Sequence, residues 1–174
     1  MPILDIGWYY GLIAGIAGLS GTLFGGWSAD YMVRKTKNRS WYILIPLAST
    51  IIAIPFALNT FLLMPNGYIA VYAYFIPTFF GGWYLAPCLA ANHFLVGIRM
   101  RAMASAVLLF MLNLIGLGLG PMLTGFASDY LTPEFGNNGL RYALSITMLV
   151  NIWCAFHYYC CLKTIKQDFD RAPA

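Results

Sequence analysis

Charge is what this 174-residue chain has least of: 9% of it is Asp, Glu, Lys or Arg, against 60% hydrophobic residues. A soluble domain of this size carries about a quarter charged residues. The deficit excludes a water-covered globule and leaves lipid as the main surroundings. Strict alternation of apolar and polar residues is also missing, which excludes the pattern of a transmembrane β-barrel. The four cysteines, Cys88, Cys154, Cys160 and Cys161, have neither metal-ligand nor redox spacing, so no zinc site, disulfide framework or other cofactor is expected. No basic n-region precedes the first apolar run, which argues against a signal peptide. The apolar runs hold no carboxylate pair, nucleophile–base pair or metal cluster, so an enzyme is not expected.

Five runs contain no charged residue at all: 8–29, 41–64, 68–91, 103–127 and 142–162. Each reaches the roughly 20 residues that cross the hydrocarbon core as a helix. The expected fold is all-α integral membrane, with five transmembrane helices in one domain over 8–162. Residues 1–7 then form a short external tail and 163–174 a cytoplasmic one. Pro65-Asn66-Gly67 supplies the turn between the second and third runs. Of the ten bases, Arg141 alone falls on one side, with Asp5, Asp129 and Glu134. The others (Arg34, Lys35, Lys37, Arg39, Arg99, Arg101, Lys163, Lys166, Arg171) share the opposite side, which is the cytoplasmic one by the positive-inside rule. The net charge of +4 is this bias and implies no nucleic-acid surface.

Within the first run, Gly7, Gly11 and Gly15 lie four apart, as do Gly21 and Gly25, forming small-residue ridges that let another helix approach closely. The third run carries Pro77 and Pro87, which bend a helix, and Tyr74, Thr78 and Tyr84 are its candidate cavity-lining residues. In the fourth, Asn113 is an amide near mid-bilayer, expected to bond across helices or to contact substrate. It is followed by Gly116-Leu-Gly118-Leu-Gly120-Pro121, a segment for helix packing or bending and not a phosphate loop, since no strand precedes it. His93 and His157 are expected to be packed or interfacial histidines, so no proton carrier is expected in the spans. Between the first two runs lies Gly26-Trp-Ser-Ala-Asp30-Tyr-Met-Val-Arg34-Lys35, read as a loop at a helix end. An acid there opposes the negative end of the helix dipole, so Asp30 should answer to a base such as Arg34 or to another helix's N-terminus.

That run resembles the cytoplasmic-loop signature of the major facilitator superfamily: Gly, three residues, Asp, a base, any residue, Gly, Arg, then Arg or Lys. Gly26, Asp30, Arg34 and Lys35 match in register; Tyr31 and Val33 depart from the usual base and glycine. Gly120-Pro121 resembles a weakened copy of the family's glycine-proline motif. The stretches Arg99-Met-Arg101-Ala-Met-Ala-Ser105-Ala, Asn113 to Pro121, Ser128-Asp129-Tyr130-Leu131 and Phe135-Gly136 are similar to the spinster-like branch. The resemblance covers about residues 7 to 165. It implies that the five spans are helices eight to twelve, part of the second six-helix bundle, and that the N-terminal half (helices one to seven) is the missing partner.

Several further expectations follow from the resemblance. Asp30 would latch one half to the other, and the helix N-terminus at Arg99, Arg101 and Ala102 would receive the reciprocal acid. The function implied is secondary transport of small or amphipathic organic solutes, lipid-like ones included, by alternating access. The setting would be a bacterial inner membrane, with the N-terminus outside and the C-terminus in the cytoplasm. A non-transporting membrane scaffold is the alternative class.

Overall fold

A computed structural model describes residues 3–64 and 66–173 of the chain, so Pro65 of the expected turn lies outside the described residues, as does the side chain of Asp5. The chain runs α1 (Ile3–Thr36), α2 (Trp41–Leu62), α3 (Gly67–Ala73), α4 (Phe75–Gly81), a 3₁₀ turn (Gly82–Tyr84) and α5 (Leu85–Leu95). It continues through α6 (Arg101–Met111), a π-helical segment (Leu112–Leu119), α7 (Gly120–Phe135), α8 (Gly139–Met148) and α9 (Val150–Arg171). No strand occurs among the described residues. Four helical stretches are long and apolar enough to cross a membrane: Gly7–Thr36, Trp41–Leu62, Gly67–Leu95 and Ile98–Arg171. The last doubles back at Gly136, whose φ of 55° and ψ of −130° suit glycine alone, so the helical legs number five among the described residues. The molecule is an all-helical integral membrane protein. Its large side chains face outward, Trp8 at 69%, Leu117 at 74% and Tyr130 at 85% exposed, the reverse of a water-soluble bundle.

The breaks in the third leg follow from its prolines. Pro77 and Pro87 lack an amide donor and clash with the carbonyl four residues earlier. The helix is interrupted at Tyr74, before the first, and tightens to 3₁₀ over Gly82–Tyr84, before the second. Asn66 starts the leg by accepting the Tyr68 N–H at 3.0 Å, a side-chain N-cap.

Two expectations change in the first leg. The stretch from Gly26 to Lys35 is not a loop: α1 continues to Thr36. It stops where Lys37 takes a left-handed φ of 56° and donates its N–H to Val33 O at 2.8 Å, an αL cap. Arg34 and Lys35 in the last turn suit the negative end of the dipole, whereas Asp30 lies above that turn, where the dipole's influence has faded. The two glycine ridges also differ. Gly7, Gly11 and Gly15 face open space, while Gly21 and Gly25 meet the backbone of Phe79 and Trp83. A methyl group built on Gly25 would fall 2.5 Å from the Trp83 Cα. This crossing is tied by Thr22 Oγ1, which donates to Gly82 O at 3.2 Å.

Arg141, the isolated base of the sequence, caps another helix. Its Nε donates to Phe61 O at 2.8 Å, and its Nη2 donates to Leu62 O at 3.0 Å and to Met64 O at 2.9 Å. The first two are terminal carbonyls of α2, which have no partner within the helix, and the third lies two residues beyond its end. At the far end of the bundle, Ala29, Tyr42, Ile43, Ala91, Ile165 and Phe169 form the buried core where α1, α2, α5 and α9 converge.

Two stability predictions follow. Gly25→Ala should lower the thermal denaturation midpoint in detergent by the equivalent of about 1–3 kcal/mol, whereas Gly15→Ala should leave it unchanged or raise it. Arg141→Ala should destabilise by about 2–3 kcal/mol, because it strands carbonyls that were bonded to a charged donor.

Candidate functional site

The kinked third leg opens a cavity of about 360 Å³ against α1, α2 and the α8–α9 junction. Its walls are small or apolar: Gly18, Ala53, Ala57, Gly81 and Met148. Tyr74, Thr78 and Asn151 add the polar groups. The Thr78 Oγ1 is buried with no hydrogen-bond partner among the described residues. Asn151 Nδ2 donates to Met148 O at 3.3 Å, which leaves its carbonyl oxygen as an acceptor for an occupant. Tyr74 also borders a second cavity of about 200 Å³, shared with Tyr10, Thr60 and Phe61. Its ring stacks on Tyr10 at 5.3 Å and leans against Phe61 at 5.9 Å, so it stands as a partition between the two spaces. Apolar walls with an orphan hydroxyl and an amide suit a small or amphipathic molecule held by burial and one or two hydrogen bonds.

The sequence-derived residues divide. Tyr74 and Thr78 share this cavity, and Asn151 joins them without having been singled out. Its signal was the same as that of Asn113, a lone amide in an uncharged run. Tyr84 sits on the 3₁₀ turn outside the cavity lining, while one turn on Cys88 Sγ lies 3.5 Å from Tyr158 Oη of α9. Asn113 is exposed and donates to Leu109 O of its own helix at 2.7 Å, with no bond to another helix among the described residues. Gly118 and Gly120 have no other helix against them; they lie in and just after the π-helical segment, with Pro121 opening α7. His93 bonds the Ser105 hydroxyl and ties α5 to α6, and His157 Nδ1 donates to Trp153 O at 2.9 Å.

At the basic end, Asp30 is exposed, and the hydroxyl of Tyr42 donates to its Oδ1 at 2.8 Å. The acid therefore answers to a neighbouring helix's phenol and not to Arg34. Tyr42 itself is 7% exposed, in the core cluster, so it holds the carboxylate at a defined place. Gly26 lets α1 lie against α5: a Cβ there would meet that of Ala86 at 3.0 Å. Arg34 and Lys35 stay exposed, with Lys35 Nζ 5.9 Å from the Tyr31 ring. Arg99 lies in a 3₁₀ turn before α6. Arg101 is the first residue of α6, and Ala102 follows it exposed; no side chain caps this helix start.

These features define an all-helical membrane protein with an apolar cavity inside the bundle and an acid-and-base motif at one end. No family model matches the chain. The chain is similar to a protein of Mycolicibacterium smegmatis (strain ATCC 700084 / mc(2)155) named an MFS-type efflux pump, with 32% identity over 144 residues. The similarity covers 83% of this chain and 33% of the pump, so the chain spans about a third of the length of that relative. It supports membership of the major facilitator superfamily.

Thr78→Val should leave the denaturation midpoint in detergent unchanged or raise it by the equivalent of about 1 kcal/mol, since it removes a buried hydroxyl that has no partner. A clear drop would mean that the hydroxyl is bonded.

Proposed function

We propose that the chain is part of a secondary transporter of the major facilitator type, contributing its helices eight to twelve, and that the whole protein moves small or amphipathic organic solutes by alternating access. The observation that carries this reading is Asp30: an exposed carboxylate in the motif register, in a chain 32% identical to an MFS-type efflux pump. One oxygen takes the Tyr42 hydroxyl, and the other has no hydrogen-bond partner among the described residues. That second oxygen is available to a helix N-terminus or a base of the other half. A latch of this kind, broken and remade as the halves rock, is worth about 1–3 kcal/mol, enough to tip two states of similar energy.

Two further features support the reading. The fourth leg, α6 to α7, has no buried residue, as expected of a helix that faces lipid on one side and another half-bundle on the other. The cavity at Thr78 and Asn151 offers apolar contact and the polar groups of Tyr74, Thr78 and Asn151, but no carboxylate, histidine, lysine or arginine among the described residues. A coupling acid would then belong to the remaining two-thirds of the protein. The spinster-like branch fits the segments from Arg99 to Gly136, and lipid-like solutes are the substrates it suggests. Efflux is the direction borne by the name of the mycobacterial relative. The distribution of bases supports a cytoplasmic position for Lys37 and Lys166, and a bacterial inner membrane is the proposed setting.

The test is transport of a fluorescent amphipathic dye in vesicles holding the full-length protein. Asp30→Asn should cut the initial rate about tenfold or more with expression and melting behaviour near normal, and Tyr42→Phe should give a smaller loss. Unchanged transport in Asp30→Asn would remove the latch; no transport of any solute by the intact protein would favour a scaffold.

A further inference from the structure

The basic end of the bundle holds a cavity of about 470 Å³ between the α1–α2 loop and the last turns of α9. Lys37, Arg39 and Lys166 line it, along with the polar side chains of Thr36, Asn38 and Ser40. An adjoining groove of about 240 Å³ shares Arg39 and adds Arg101. Four bases, from the α1–α2 loop, the start of α6 and α9, therefore line two adjoining spaces, and among the described residues Asp170 is the one acid lining either of them. Bases gathered in this way repel one another, and an anion placed among them relieves that repulsion.

Arg39 is held in position, with its guanidinium 4.7 Å from the centre of the Phe94 ring. Phe94 in turn meets Phe169 edge-on at 6.3 Å, and Phe169 is 7% exposed, so the wall between the grooves is packed. The first turn of α2 opens beside the bases. Its N-cap residue, Ser40, makes no side-chain cap bond, which leaves the positive end of a 22-residue helix without a side-chain anion.

The position of these groups in the membrane selects the ligand. The α1–α2 loop joins the ends of two membrane-crossing stretches, Gly7–Thr36 and Trp41–Leu62, so the bases lie at headgroup depth. The smaller groove adds an apolar margin of Phe94, Val96 and Pro173, suited to the start of an acyl chain below a phosphate. We propose that these paired grooves bind the phosphate headgroup of an anionic phospholipid, with Lys37, Arg39 and Lys166 as its cationic contacts. Such a site would couple the lipid composition of the leaflet to the same helix ends that carry Asp30 and Tyr42, and it does not depend on the transport reading.

The experiment uses the full-length protein in detergent, stripped of lipid and titrated with dioleoyl phosphatidylglycerol, dioleoyl phosphatidylcholine and inorganic phosphate. Bound lipid is read by native mass spectrometry, and protection by the thermal midpoint. Phosphatidylglycerol should bind at least about tenfold more tightly than phosphatidylcholine. K37Q/K166Q should abolish that preference, while K163Q/R171Q, which loses the same charge outside the grooves, should keep it. Asp170→Asn, at an exposed position that tolerates change, should tighten phosphatidylglycerol binding. Equal binding of the two lipids, equal protection by inorganic phosphate, equal losses in the two double variants, or weaker binding in Asp170→Asn would each overturn the proposal.

Discussion

A backbone carbonyl or amide inside a bilayer has no water to turn to, and that constraint organises this molecule. Helices satisfy most of their groups internally, and the points where they cannot are the points where the tertiary structure concentrates its specific contacts. The end of α2 is the clearest case, where the guanidinium of Arg141, some eighty residues distant in sequence, takes three carbonyls. The break before Pro87 is another. There the 3₁₀ turn at Gly82 presses its backbone onto Gly21 and Gly25, and Thr22 bonds the Gly82 carbonyl. Cohesion in lipid comes from such close approach and from hydrogen bonds, since burial of apolar surface gains little when the solvent is itself apolar.

The same defects make room for function. Proline interrupts the third leg, the bend opens a cavity, and the polar groups that line it are those the broken helix and its neighbours leave exposed to it. Thr78 ends in a buried hydroxyl without a partner among the described residues, a costly arrangement for a residue serving stability alone. The basic end shows a comparable tension, with bases lining shared grooves and Arg39 packed on the ring of Phe94. Both places hold unsatisfied chemistry inside an otherwise apolar scaffold.

Much of the fold was legible in the order of residues. Long uncharged runs, prolines in the third and glycines at four-residue spacing gave the helical class, the bend and the candidates for packing. Spacing alone did not distinguish the two glycine ridges, because whether a ridge is used depends on which helix crosses it. Gly21 and Gly25 meet the third leg, and Gly11 and Gly15 meet nothing. Asn113 and Asn151 were equivalent as lone amides, but one turns back to Leu109 and the other faces the cavity.

What the sequence determined by itself was the class of environment and the sidedness of charge. Transfer of charge into hydrocarbon is so costly that composition settles where each run must lie. What only the tertiary structure decided were the partners. Asp30 is oriented by the phenol of Tyr42 and not by the nearby Arg34, because the core of α1, α2, α5 and α9 buries that ring and aims its hydroxyl. Arg39 shares one groove with Lys166 and another with Arg101 for a similar reason: only the packing of distant helices brings groups so far apart in sequence to the same end of the bundle.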